Sequence, residues 1–267
     1  KVVVVGAGPA GLAAARVASA RGHDVVVFEA GSRAGEQVLL TARSQRRAEM
    51  MQIIDWRVAQ CEAAGVKLRY NLYAEAADVL NETPDVVVIA TGGMANTTLY
   101  EADPPDHVVS ASILIYDEAG DHTGLQAAEV AVNAGCTVEI MTPDRTFAPE
   151  VMAMNLVPYM RNLQRDEVTF TVTKRLRGVE KAGNRLRAII GTDYSEKLGH
   201  AHYDHVVVNY GTTPLDELYH DLRPSSSNGG AIDQSDFLNV RPQTVVRNAE
   251  GTFQLFRIGD AISARNT

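Results

Sequence analysis

At 267 residues, 45% hydrophobic and 22% charged, the chain is long enough to bury a sizeable core in one large domain or two smaller ones. A formal net charge of −8 argues against a nucleic-acid partner, and no apolar run approaches the roughly 18 residues a bilayer span needs, so neither nucleic acid nor membrane is expected. With no signal-peptide pattern the expected location is cytoplasmic; Cys61 and Cys136 lie far apart without a C-x-x-C, which leaves no disulfide framework, thiol redox pair or metal site to expect and reads both as small buried residues.

The opening stretch, KVVVVGAGPAGLAAARVASARGHDVVVFEA, predicts a strand, a glycine turn, a helix and a second strand. Four valines at Val2–Val5 suit a strand buried on both faces. Gly6 allows a tight turn, Gly8 lets the backbone approach a pyrophosphate, and Gly11 lets the helix pack closely on the strand. The helix starting at Pro9-Ala10 then turns its free N–H groups toward the phosphates. Glu29 closes the second strand, just before Ala30, where a carboxylate can accept hydrogen bonds from the hydroxyls of an adenosine ribose and would repel a 2′-phosphate.

Gly31 to Thr41 reads as a loop in which Gly35 and Gln37 either approach a cofactor or belong to a plain surface turn. Arg46 to Ala64 carries apolar residues at helical spacing, with Trp56 expected to pack, and Val66 to Leu72 reads as a strand. Asp85 to Ala90 is a further core strand. It ends in Ala90-Thr91-Gly92-Gly93, small residues placed close to the first glycine turn where bulk would obstruct a nucleotide.

From Ser112 the pattern of strand, turn, helix and strand returns as an internal repeat. Aligning Gly124 with Gly11 puts Ala119 and Asp121 where the first unit has Gly6 and Gly8. A carboxylate pointed at a pyrophosphate about 4 Å away would cost roughly 4 kcal/mol per charge pair, so this second cradle is expected to be degenerate for NAD(P)H. His122 reads as an exposed or capping residue rather than a ligand. A helix over Val151 to Gln164 precedes short strands at 168–172, 176–179, 185–190 and 205–209, which read as a meander whose basic residues form a solvated face. Pro224 to Gly230 reads as a linker or turn. Leu255 to Ile258 then delivers Gly259-Asp260, an acid at a strand end followed by small residues that can begin a helix aimed at a flavin ring.

The runs VVVVGAGPAGLAAARVASARGHDVVVFEA, RAGEQV, VVVIATGG and RIGDA together resemble flavoproteins built from two dinucleotide-binding domains. More narrowly, the whole chain is similar to the C-terminal half of the 2,4-dienoyl-CoA reductase, trimethylamine dehydrogenase and dimethylglycine demethylase group. The resemblance implies an α/β fold: a doubly wound Rossmann-like FAD-binding domain (1–111 and 230–267) with an inserted Rossmann-like, NAD(P)-binding-type domain (112–229). It implies FAD, or in some members only ADP, held at Gly6, Gly8, Pro9, Ala10, Gly11, Glu29, Ala30, Gly35, Gln37, Ala90, Thr91, Gly92, Gly259 and Asp260.

It also implies an N-terminal barrel half carrying FMN and a 4Fe-4S cluster, a homo-oligomeric parent and, for some members, a protein electron acceptor. The implied activity is oxidation of small methylated amines or reduction of enoyl substrates; the alternative is a structural ADP- or FAD-binding module. No catalytic acid, base or nucleophile is identified in this half. Three features depart from the group's pattern: Glu36 where a glycine is usual, a short connector around Ser110 to Ser112, and the Asp121 turn, which resembles members that pass electrons to a protein acceptor.

Overall fold

The structure, a computed structural model, describes residues 1–97 and 111–263. In chain order the elements are β1 (Val2–Val5), α1 (Pro9–Ala20), β2 (Val25–Phe28), α2 (Glu36–Thr41), α3 (Met51–Ala63), β3 (Lys67–Arg69), α4 (Ala76–Asn81), β4 (Val86–Ile89) and β5 (Gly93–Ala95). There follow β6 (Ser112–Asp117), α5 (His122–Asn133), β7 (Thr137–Met141), α6 (Ala153–Arg165), β8 (Thr169–Thr171), β9 (Arg175–Ala182), β10 (Arg185–Thr192), β11 (Ser195–Tyr203) and β12 (His205–Asn209). The chain closes through β13 (Thr212–Pro214), α7 (Glu217–Leu222), α8 (Gln234–Leu238) and β14 (Gln254–Arg257). Short 3-10 turns span Gln45–Met50, Arg223–Ser225 and Gly259–Ala261.

Two compact units result. The first comprises Lys1–Met94 and the segment from Thr213 onward; the second is the intervening stretch. In the first unit a parallel sheet runs in the order β14-β4-β1-β2-β3, with Val2 opposite both Val25 and Val86. Strict alternation sorts its side chains: Val2, Val4, Val25 and Val27 pack with Leu12, Ala15, Ile54 and Cys61 on one face. Val3, Val5, Val26, Phe28, Val87 and Ile89 pack with Val79, Tyr219, Leu222, Phe253 and Leu255 on the other. Both faces are covered, which is why β1 and β2 read as unbroken apolar runs rather than alternating ones.

The second unit repeats this order as β12-β6-β7-β8, all parallel. One face carries α5 and α6 through Ile113, Ile115, Leu125, Ile140, Tyr159 and Leu163. The other carries the antiparallel sheet β11-β10-β9, with Leu114, Tyr116 and Met141 packed against Leu176, Ala188 and Tyr203. The strands near 168–172 and 205–209 are therefore β8 and β12 of the parallel sheet, not members of a meander. The meander is β9 to β11, and β11 had no sequence counterpart because its residues are mostly exposed.

Other expectations shift for local reasons. The stretch read as a loop after Gly31 contains α2, and α4, with a Glu75/Asp78 capping box, was not anticipated. Trp56 is 55% exposed with the Arg16 guanidinium over its ring, so it is not a core residue. The unit boundaries fall near residues 95 and 212, against 111 and 229 from the sequence. Tyr219 and Leu222 explain the second difference, since both belong to the first unit's core. Of the two readings of Pro224 to Gly230, linker or turn, the structure has the turn, with Ser226 and Asn228 fully buried. The connector at Ser110 and the continuation past Ser263 lie outside the described residues. Among the described residues no helix is long and apolar enough to cross a membrane, and no group of His, Cys, Asp and Glu is arranged to hold a metal.

Candidate functional site

The site is built where β1 ends at the centre of the first unit's sheet, with β4 to one side and β2 to the other, the crevice at which parallel sheets of this kind bind ligands. Gly6 has φ +105, and a Cβ on it would overlap the Ala90 carbonyl oxygen. A Cβ on Gly11 would overlap the Gly6 carbonyl oxygen and lie 3.2 Å from the Ala90 Cβ. These two glycines are therefore packing requirements that draw the turn, α1 and the end of β4 together. Gly8 differs, since nothing lies within 4 Å of where its Cβ would be. It leaves open the approach to the α1 N-terminus, which begins on Pro9, has no side-chain cap and has no acid in its first turn.

Glu29 is buried, 3% exposed, and turned into this turn. Its Oε2 accepts the Ala7 backbone N–H at 2.7 Å and its Oε1 accepts the Gly31 N–H at 2.7 Å. Each oxygen retains acceptor capacity, and the carboxylate ties the end of β2 to the glycine loop. Gly35, in the left-handed region at the start of α2, donates its N–H to the Ala7 carbonyl at 3.1 Å. The Gln37 side-chain amide donates to the Gly93 carbonyl, and the Thr91 hydroxyl to the Leu215 carbonyl. The C-terminal motif also arrives here, since a Cβ on Gly259 would lie 2.9 Å from the Ala10 Cβ. Asp260 is partly buried at the following 3-10 turn. Ala30 and Pro9 are exposed beside the turn.

The structure thus gathers Gly6, Ala10, Gly11, Glu29, Gly35, Ala90 and Gly259 around the end of β1, while giving Gln37 and Thr91 backbone partners of their own. Two contributors were missed. Ala7 supplies the amide that orients Glu29 and the carbonyl that anchors Gly35; its buried position between two glycines carries no distinguishing side chain. Glu36, seen in sequence as a departure, lies beside Glu29, the Oε1 atoms of both standing near Gly31. Burial first, and the Glu29 charge second, hold its pKa above the ordinary carboxylate range.

The corresponding turn of the second unit has different chemistry. Asp121 is the N-cap of α5, its Oδ1 accepting the Thr123 N–H at 2.8 Å and the Asn209 side-chain amide at 3.1 Å. Asp117, 3% exposed at the end of β6, accepts from the Gly120 N–H at 3.1 Å and from the same Asn209 amide at 2.8 Å. Burial pushes its pKa up to about 6. Gly124 is required because a Cβ there would lie 2.6 Å from Asp117 Oδ2. A carboxylate thus occupies the place against the helix that the Gly6 carbonyl takes in the first unit. His122 is half-buried, with its ring 5.9 Å from that of Tyr159.

A central parallel sheet with an uncapped glycine turn at its middle strand, repeated once with a self-capped turn, defines the class of two-unit Rossmann-like oxidoreductase folds. The chain matches the pyridine nucleotide-disulphide oxidoreductase family over residues 1–262 and belongs to it. Over its full length it is 59% identical to a probable N-methylproline demethylase from Rhizobium meliloti, and 37% identical to a multifunctional alkene reductase/demethylase from Caballeronia cordobensis. It is 33% identical to an N,N-dimethylglycine/sarcosine dehydrogenase from Chromohalobacter salexigens. It spans 41% of the length of the first two and 42% of the third. Among solved structures, histamine dehydrogenase from Rhizobium sp. 4-9 shares the fold with a TM-score of 0.77 at 23% identity, covering 99% of this chain and 39% of that one. Thioredoxin reductase from Lactococcus lactis shares it with a TM-score of 0.65 at 15% identity, covering 100% and 91%.

Proposed function

We propose that the first unit binds FAD, with its adenosine and pyrophosphate lying against the Gly6–Gly11 turn. Gly8 would let the backbone approach the pyrophosphate, the Ala10 and Gly11 amides of the uncapped α1 start would face it, and Glu29 would accept from the ribose hydroxyls. Gly35 and Gln37 from the start of α2, Ala90, Thr91 and Gly92 after β4, and Gly259 with Asp260 after β14 would border the rest of the molecule. When bound, the flavin supplies the acceptor for a hydride or electron pair, and the chain's own part is to hold it and keep bulk out of its path. The observation that carries this reading is the contrast at Gly8 and Asp121: the first helix start is open to an anion, the second is closed by its own carboxylate. For the same reason we assign no NAD(P)H to the second unit.

The similarity to a demethylase, an alkene reductase/demethylase and a methylated-amine dehydrogenase supports a place as the C-terminal half of an enzyme that oxidises small methylated amines or, alternatively, reduces enoyl substrates. The substrate site, an FMN and a 4Fe-4S cluster would then belong to an N-terminal barrel half. A homo-oligomer and a protein electron acceptor go with that reading. A second reading, a structural ADP-binding module, uses the same turn and the same Glu29.

Purification tests both. A yellow protein with flavin bands supports FAD, a colourless one that releases ADP on heating supports the structural module, and a preparation that holds neither and shows no heat with either in calorimetry rejects the site.

A further inference from the structure

A second concavity lies in the first unit, on the turn between α7 and α8. It has a volume of about 780 Å³ and is lined by His220, Arg223, Ser226, Arg247 and Asn248 among others, with no carboxylate in the lining and no residue of the candidate cofactor site. In a chain with 33 acidic against 25 basic residues, a cavity walled by two arginines and a histidine is a local reversal of charge.

The turn beneath it is densely hydrogen-bonded. Asn228, 1% exposed, accepts the Leu255 N–H at 2.9 Å and donates to the Leu255 carbonyl at 2.9 Å and the Ala231 carbonyl at 3.0 Å. Ser226 is fully buried, its hydroxyl on the Arg223 carbonyl at 2.8 Å, and Asn248 donates to the Pro224 carbonyl at 3.0 Å. Both arginines are seated on this frame. Arg223 Nε donates to the Gly229 carbonyl at 2.9 Å, which spends one of its five donors. The Arg247 stem lies on Gly229, where an added Cβ would stand 3.3 Å from the Arg247 Cβ.

Among the described residues, no acid pairs with either guanidinium, although Arg175, Arg185, Arg187 and Arg257 of the same chain all have carboxylate partners. His220 is steadied by Asp216 at 3.2 Å, an acid whose charge is also met by Arg257.

We propose that this pocket is an anion site for a small molecule carrying a phosphate group. Two planar guanidinium forks without protein carboxylate partners, one of them held at Arg223 Nε by the Gly229 carbonyl, match the tetrahedral oxygens of a dianion better than a single carboxylate.

The test is titration of the 267-residue chain with inorganic phosphate and with glycerol 3-phosphate, followed by two-dimensional NMR of backbone and arginine side-chain N–H signals. Saturable shifts at Arg223, Ser226, Arg247 and Asn248 are expected, with glycerol 3-phosphate binding more tightly than phosphate. Arg247→Gln, at a side chain with no hydrogen bond to lose, should keep the melting temperature and weaken binding at least about tenfold. Arg223→Gln should do the same with some loss of stability from the Gly229 contact. Absence of shifts at these residues, unchanged affinity in Arg247→Gln, or tighter binding of succinate than of glycerol 3-phosphate would each overturn the assignment. Because adenine nucleotides are not used, the outcome is independent of the FAD reading.

Discussion

Glu36 faces Glu29 beside Gly31, two carboxyl groups meeting at the mouth of the glycine turn, and desolvation together with the Glu29 charge raises the Glu36 pKa. Glu29 is fixed by the Ala7 and Gly31 amides. An acid whose folded pKa lies above its ordinary 4.5 stabilises the fold below that value, and the contribution disappears as pH rises through the raised one. The melting temperature should therefore fall as pH rises above 4.5. Glu36→Gln, which carries no charge toward Glu29 at any pH, should flatten that fall and melt higher at pH 7, as differential scanning fluorimetry would reveal.

Gly8 and Gly11 separate binding from packing. Gly11→Ala pushes a methyl into the Gly6 carbonyl and should cost about 2–4 kcal/mol in chemical denaturation. Gly8→Ala meets open space and alters only an N-cap, so stability should change by no more than about 1 kcal/mol. Its affinity for FAD or ADP should nevertheless drop at least about tenfold, equivalent to about 1.4 kcal/mol. Unchanged affinity in calorimetry would remove the pyrophosphate from this turn.

In the second unit, Asp117 titrates near pH 6 because it is buried. Its folded pKa is raised, so stability declines as pH climbs from about 4 to 6 and then levels off. From an ordinary 3.8 to about 6 the loss is at most about 3 kcal/mol. Asp117→Asn keeps an oxygen for the Gly120 and Asn209 donors and should remove the Asp117 share of this slope, which urea melts at pH 4.5 and 7 would show.

Asp121 predicts a negative result and a small positive one. With the first unit saturated by FAD, NADH should give no calorimetric heat at hundreds of micromolar, because the carboxylate occupies the second unit's helix start and would oppose a pyrophosphate by roughly 4 kcal/mol per charge pair. Asp121→Ala should lose about 1 kcal/mol of stability through the missing cap, while Asp121→Asn retains most of it.

The residues themselves determined the two repeated strand-turn-helix-strand units, since buried parallel strands leave uninterrupted runs such as Val2–Val5 and the glycine turn has a fixed spacing. They also marked Glu29 and Gly259-Asp260 as strand-end groups. What they could not show depends on contacts between distant segments. That Glu29 is clasped by Ala7, that Tyr219 and Leu222 belong to the first unit's core, and that β8 and β12 pair in parallel are all decided by residues far along the chain. Exposed segments such as β11 lack the apolar alternation that would have announced them, and Asp121 reads the same whether it faces a phosphate or caps its own helix. Local pattern records which backbone a segment prefers; which group satisfies each buried donor or charge is settled only when the chain closes on itself.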